Sequence, residues 1–293
     1  MAQSSYVGPG PAIAARQSPW RTASVGGKEL AVALVTLAAF GFAEGVSVFG
    51  EPVTGIALHG VVLSALIVAS GIGGNRSLED PTSRLLYSLA LVPLIRIVSL
   101  AMPLARFEEA YWFVAAGAPI FVAAGVVTAG LGLRPRDVGL TLSLRALRWQ
   151  LAVVPLGFAL GFSEYLILRP EPLIGQLTAA AFVAPALVLL FFTGVLEEFV
   201  FRGLLQRTAG QALGRLDVLY VSLIFAILHI GYRSVTDFLF VFAIALLYGW
   251  VVRRTGSIIG VSVSHGITNI TLFLLMPFVP VLSGQPAWLP ALV

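Results

Sequence analysis

Long apolar windows, interrupted at regular intervals by short polar punctuation, dominate this chain of 293 residues. Such windows run for roughly 20 residues, the length a helix rising about 1.5 Å per residue needs to cross ~30 Å of hydrocarbon. They predict helices at roughly 29–48, 53–73, 84–104, 110–133, 147–168, 174–210, 216–232, 236–253 and 257–277, nine passes in all, or eight if one is re-entrant. The breaks fall where Gly, Pro and charge cluster: GEP at 50–52, GGNRSLEDP at 73–81, RPRD at 134–137, RPEP at 169–172 and RRTG at 253–256. The expected fold class is therefore all-α, a polytopic membrane helix bundle of about eight or nine transmembrane helices. Four parts follow along the chain. Residues 1–27, rich in Gly, Pro, Ser and Ala, read as a flexible cytoplasmic tail; 28–173 as N-terminal transmembrane helices; 174–280 as the core that carries the chemistry; and 281–293 as a C-terminal tail. The apolar run after Lys28 is too long for the core of a signal peptide and is read as the first span.

Composition supports the membrane reading. The chain is 58% hydrophobic and 11% charged, with a mean hydropathy of +0.95, too apolar for a polar, water-facing surface. It has no cysteine, which removes disulfides, thiolate metal sites and a cysteine nucleophile. The net charge of +4 does not signal nucleic acid, because the basic residues sort by connection rather than forming a patch. Fourteen Lys and Arg fall on one side, three (Arg106, Arg169, Arg233) on the other, and Arg96 lies within a span. The positive-inside rule then expects a multi-pass protein, of the bacterial plasma membrane on this reading, with a cytoplasmic N-terminus. Its partners are the lipid bilayer and whatever the bilayer delivers.

Three short pieces of the last third carry nearly all the candidate chemistry: EEFVFR at 197–202, FAILH at 225–229 and HGITN at 265–269. A charge at the centre of a membrane helix costs roughly 2.5 to 3.5 kcal/mol, so Glu197, Glu198 and Arg202 together cost about 7 to 10. Spacing of four places Glu198 with Arg202, Phe225 with His229, and His265 with Asn269, each pair on one helix face. If the chain reverses within AGQALGRLD at 209–217, Glu197 and His229 lie equally far from the turn, about 20 Å deep. His265 and Asn269, counted from the RRTG turn, come to about 15 to 21 Å. The three pieces can thus converge on one buried site, expected to open towards the cytoplasm. Pairing with Arg202 assigns Glu198 a structural, ionised role and leaves Glu197 poised to exchange protons. Two imidazoles and a carboxylate suffice as a zinc ligand set, and the same groups can activate a water without metal. Asn269 offers an amide donor to an oxyanion.

These three pieces, in this order, resemble the EExxxR, FxxxH and HxxxN motifs of the CAAX-protease and bacteriocin-processing (CPBP, or Abi) family, which includes the prenyl-protein endopeptidases. The resemblance covers about residues 185–280. It implies an intramembrane metalloendopeptidase, with Glu197 as water-activating base beside Glu198. His229 and His265 become ligands or polarising groups, and Asn269 serves the oxyanion. Arg202 and Phe225 act as structural support. It implies a membrane-associated peptide or protein substrate, prenylated or not, and Zn2+ held by His229, His265 and Glu197, although the motifs themselves are silent on metal. The competing class is a transporter or scaffold that uses the same acids and histidines as a proton or cation relay. Serine, HExxH and GxGD protease patterns are absent. His59 reads as a satisfied core histidine, and Glu44, Glu164 and Arg96 as charges that pair with one another or line a cavity.

Overall fold

Residues 25–71, 80–102, 108–142 and 146–279 are described by the computed structural model. The expected C-terminal tail, all but the last three residues of the expected 1–27 tail and most of the 73–81 break lie outside them. Among the described residues every regular element is helical, and eight stretches are long and apolar enough to cross a membrane. The chain is an integral, multi-pass membrane protein. Helices α1 (Gly27–Phe49) and α2 (Pro52–Gly71) form a hairpin broken at Gly50. Helices α3 (Pro81–Leu89) and α4 (Leu91–Ala101) make the third pass, begun by Asp80, whose carboxylate accepts from Ser83 N at 2.9 Å. Helix α5 (Glu109–Gly130) follows, then α6 (Leu147–Val153) and α7 (Leu156–Leu168).

The centre of the bundle is one long helix. It comprises α8 (Ala179–Leu189), α9 (Leu196–Glu198) and α10 (Gln206–Leu213), joined by wider-wound π segments at Leu190–Val195 and Phe199–Leu205. It starts at 179 rather than 174 because the Thr178 hydroxyl caps it, accepting from Ala181 N at 3.3 Å. At Gly214 (φ 56°, ψ −121°) the chain reverses, and α11 (Asp217–Ile227) runs back along α10. Phe225 then packs edge-on against Phe201 at 4.9 Å between ring centres. The 54-residue apolar stretch Ala179–Tyr232 is therefore two antiparallel passes, which brings the passes among the described residues to nine. Helices α12 (Val235–Thr255) and α13 (Ile259–Ile270) complete the bundle.

Lipid replaces water as the outer solvent, so Val35, Phe42, Val122, Leu151 and Phe191 are exposed while polar groups turn inward. Those inward groups bond between helices: Thr36 with Tyr220 at 2.6 Å, Ser88 with Thr208 at 2.6 Å, Gln206 Nε2 to Gly249 O at 2.9 Å, and Tyr248 Oη to Ser264 Oγ at 2.8 Å.

Helix α13 is held between two neighbours at backbone contact. A side chain at Gly194 would place Cβ 2.5 Å from Ser262 O and 2.7 Å from Gly266 N. On the other flank, Cβ atoms at Gly157 and Gly161 of α7 would strike Ser264 O and Thr268 O. Small residues are what allow membrane helices to approach this closely. Gly194→Val is accordingly expected to cost about 1 to 3 kcal/mol of stability through overpacking. Thermal unfolding in detergent would reveal it as a lower Tm and lower folded yield. Gly125→Ala in α5, where nothing lies within 4 Å, is the neutral control.

Candidate active site

Both motif glutamates stand on α9 between the two π segments, a kind of helical irregularity that concentrates at functional sites. They are not equivalent. Glu198 is fully buried, and its Oε1 accepts from Arg202 Nη1 at 2.9 Å and from His265 Nδ1 at 2.9 Å. Arg202, itself buried, lies 4.5 Å over the Phe225 ring, so the motif phenylalanine shields the guanidinium face. The other neighbour of Phe225 is His229, at 4.7 Å between ring centres.

The two imidazoles are oriented alike. His229 Nδ1 donates to Phe225 O at 2.8 Å, and His265 Nδ1 donates to Glu198, so each ring leaves Nε2 available. Glu197 is the more accessible acid, its side chain 32% exposed, with Oε2 3.8 Å from His265 Nε2. Asn269 donates through Nδ2 to Thr193 Oγ1 at 2.8 Å, and Thr193 in turn donates to Leu189 O. One of the two amide protons of Asn269 is thus committed, and one remains.

Two cavities meet at this cluster. The smaller, about 60 Å³, is lined by Glu164, Glu198, Arg202, His229, His265 and Asn269 among others. The larger, about 400 Å³, has Glu197 in its wall together with Arg96, Phe113, Phe192 and Gly231. Phe225, His229 and Tyr232 border both. Adjacent glutamates about 100° apart on a helix thus face different spaces.

The larger cavity reaches Ser99 near the end of α4, Phe113 near the start of α5, and Tyr232 beyond α11. Those ends lie opposite the one where Arg253 pairs with Asp217 at 2.6 Å and Arg84 reaches Gln211 at 3.0 Å. The expected opening towards the arginine-rich end is therefore corrected: the free space beside Glu197 extends the other way. Counting residues from a turn gives depth, but not the side of the helix on which space is left.

The motif residues Glu197, Glu198, Arg202, Phe225, His229, His265 and Asn269 are brought together. Glu164 joins them at the smaller cavity, whereas buried Glu44 and His59 lie behind Arg96, which pairs with Glu44 and lines the larger cavity. Thr193 was missed by the motif reading. Its signal was available: it is the only hydrogen-bonding side chain between 179 and 196, four residues before Glu197. Among the described residues no three His, Asp or Glu side chains gather as a metal-ligand set, so His229, His265 and Glu197 do not close around one ion.

A buried acid bonded to an imidazole thus stands beside a more accessible acid in the wall of the larger cavity. Residues 179–271, which contain all three motifs, match the family model described as Type II CAAX prenyl endopeptidase Rce1-like. This segment is similar to the CAAX-protease (CPBP) family, whose general activity is proteolysis at the membrane. No curated protein and no solved structure matches the chain.

Removing Arg202 would strip Glu198 of its counter-charge inside the bundle. Breaking a buried pair in this way costs about 3 to 5 kcal/mol. Arg202→Ala is therefore expected to unfold at markedly lower denaturant or temperature. Arg202→Met combined with Glu198→Gln should recover much of that stability, since no orphaned charge is left.

Proposed function

We propose that the protein is an endopeptidase that cleaves membrane-associated peptides or proteins, lipidated ones included, with a water activated by Glu197. The observation that carries this reading is the 3.8 Å separation of Glu197 Oε2 and His265 Nε2 at the wall of the larger cavity. That gap is too long for a direct hydrogen bond and suits one bridging water. Glu197 takes a proton from this water, His229 Nε2 accepts its other hydrogen, and the oxygen attacks the scissile carbonyl carbon. His265 already donates Nδ1–H to Glu198, so a proton on Nε2 makes the ring an imidazolium flanked by two carboxylates. That N–H and the uncommitted amide proton of Asn269 are donors suited to the tetrahedral oxyanion. Glu197 then passes its proton to the leaving amine nitrogen as the C–N bond breaks, and water has been added across the peptide bond.

Zinc would supply Lewis-acid polarisation and a more acidic bound water, using Nε2 of both histidines and Glu197. Since these three do not gather as a ligand set among the described residues, no step above runs through a metal. A proton or cation relay would use the same acids and histidines, but gives no reason for an asparagine anchored by Thr193.

Two measurements test the proposal. Glu197→Gln should lose cleavage of a vesicle-delivered peptide by at least about 10²-fold, the usual contribution of a general base, with Tm unchanged. Mass spectrometry of the products reads this directly. Cleavage by that variant at the wild-type rate, or a wild type that cuts nothing yet conducts protons in liposomes, would sink the proposal. Thr193→Val should lower kcat about tenfold without altering KM, less than losing an oxyanion donor outright, because Asn269 is loosened rather than removed.

A further inference from the structure

The hydrolytic reading leaves Glu164 unused. This acid lies on α7, is 8% exposed, lines the smaller cavity, and makes no hydrogen bond or ion pair among the described residues. Its position follows from the glycine seam: Gly157, Gly161 and Glu164, spaced four and three apart, share the face of α7 that meets α13. The carboxylate therefore stands near His265 and Glu197, with both of which it interacts electrostatically. A charge inside a membrane bundle is costly to place, and one that has no partner in the protein needs solvation from elsewhere. At ~30 Å³ per water in the liquid, the cavity of about 60 Å³ has room for about two waters. His229, Tyr232, His265 and Asn269 line it alongside Glu164, which provides the roughly two to four polar partners that a buried water takes.

A peptide lying in the larger cavity closes that side to solvent, yet every turnover consumes a water. We propose that Glu164 is a positioning residue: it anchors water in the smaller cavity, which feeds the Glu197–His265 pair from the face opposite the peptide. This role rests on the peptidase reading of the site. His265 lines the smaller cavity and Glu197 the larger, while His229 and Tyr232 border both. A water leaving Glu164 thus passes the imidazole edges to reach the 3.8 Å gap between Glu197 Oε2 and His265 Nε2. Replenishment comes from the end of the bundle where Glu164 stands about one turn before the close of α7 at Leu168 and Tyr232 is 49% exposed.

Two variants and one labelling measurement test this. Glu164→Leu replaces the water anchor by an apolar group of similar size. It should lower kcat for the vesicle-delivered peptide about tenfold, the factor equivalent to one lost hydrogen bond, with KM unchanged and Tm not lowered. Glu164→Gln keeps a hydrogen-bonding head and should recover most of that loss. An equal loss in both variants overturns the proposal, because the charge rather than the hydrogen bond then counts, and so does full activity in Glu164→Leu. Water itself is read by millisecond X-ray radiolytic labelling of the protein in nanodiscs. Tyr248, 2% exposed and part of the cavity lining, should be hydroxylated in the wild type and in Glu164→Gln but not in Glu164→Leu. Phe40, 0% exposed and away from both cavities, should be labelled in none of them. If Glu164→Leu fails to fold, labelling of Tyr248 in the wild type decides alone, and an unlabelled Tyr248 overturns the proposal. Labelled Tyr248 with no cleavage by the wild type would overturn the peptidase reading and leave the hydration site standing. Cleavage with Tyr248 unlabelled would do the reverse.

Discussion

One carboxylate oxygen ties the site together. Glu198 Oε1 receives a guanidinium proton from its own helix and an imidazole proton from α13. In a medium with no water to share the load, neither partner can be lost cheaply. The bond also decides which nitrogen of His265 carries the proton and which points at Glu197. The hold on the central helix and the orientation of the His265 ring are thus set by the same interaction.

That interaction requires helices packed closer than ordinary side chains allow. Glycines at 157, 161, 194 and 266 bring the backbones of α7, the central helix and α13 into contact. Beside this dense seam, the cavity past Glu197 is comparatively wide, and it is walled by α4 and α5 from the N-terminal half. The C-terminal part therefore carries the motif residues on closely packed helices, while the N-terminal helices supply the room next to them. Arg96, Glu44 and His59 sit on those N-terminal helices, which is why no motif of the last third includes them.

Much of the fold was legible because its signals are local. Apolar windows ended at GEP, RPEP and RRTG, and the structure turns near each, with Thr178 moving one helix start by five residues. The pairing of Glu198 with Arg202 followed from i, i+4 spacing, and the similar depth of Glu197 and His229 from their equal distance from the centre of the 209–217 turn. Thr193, four residues before Glu197, was equally local and was overlooked because a lone threonine in an apolar helix has so many ordinary uses.

The sequence by itself determined an all-helical membrane bundle, the faces on which the motif residues lie and their depth from the turns. These depend only on the rise and period of a helix and on the cost of burying charge. Only the tertiary structure decided that the two glutamates open into different cavities, that His265 is bonded to Glu198 rather than Glu197, and that the larger space extends away from the arginine-rich end. Each of these depends on which side chains of distant helices come into contact, such as Glu44 with Arg96 or Gly194 with Gly266. Local periodicity constrains one helix at a time and carries no record of what fills, or leaves unfilled, the space between two of them.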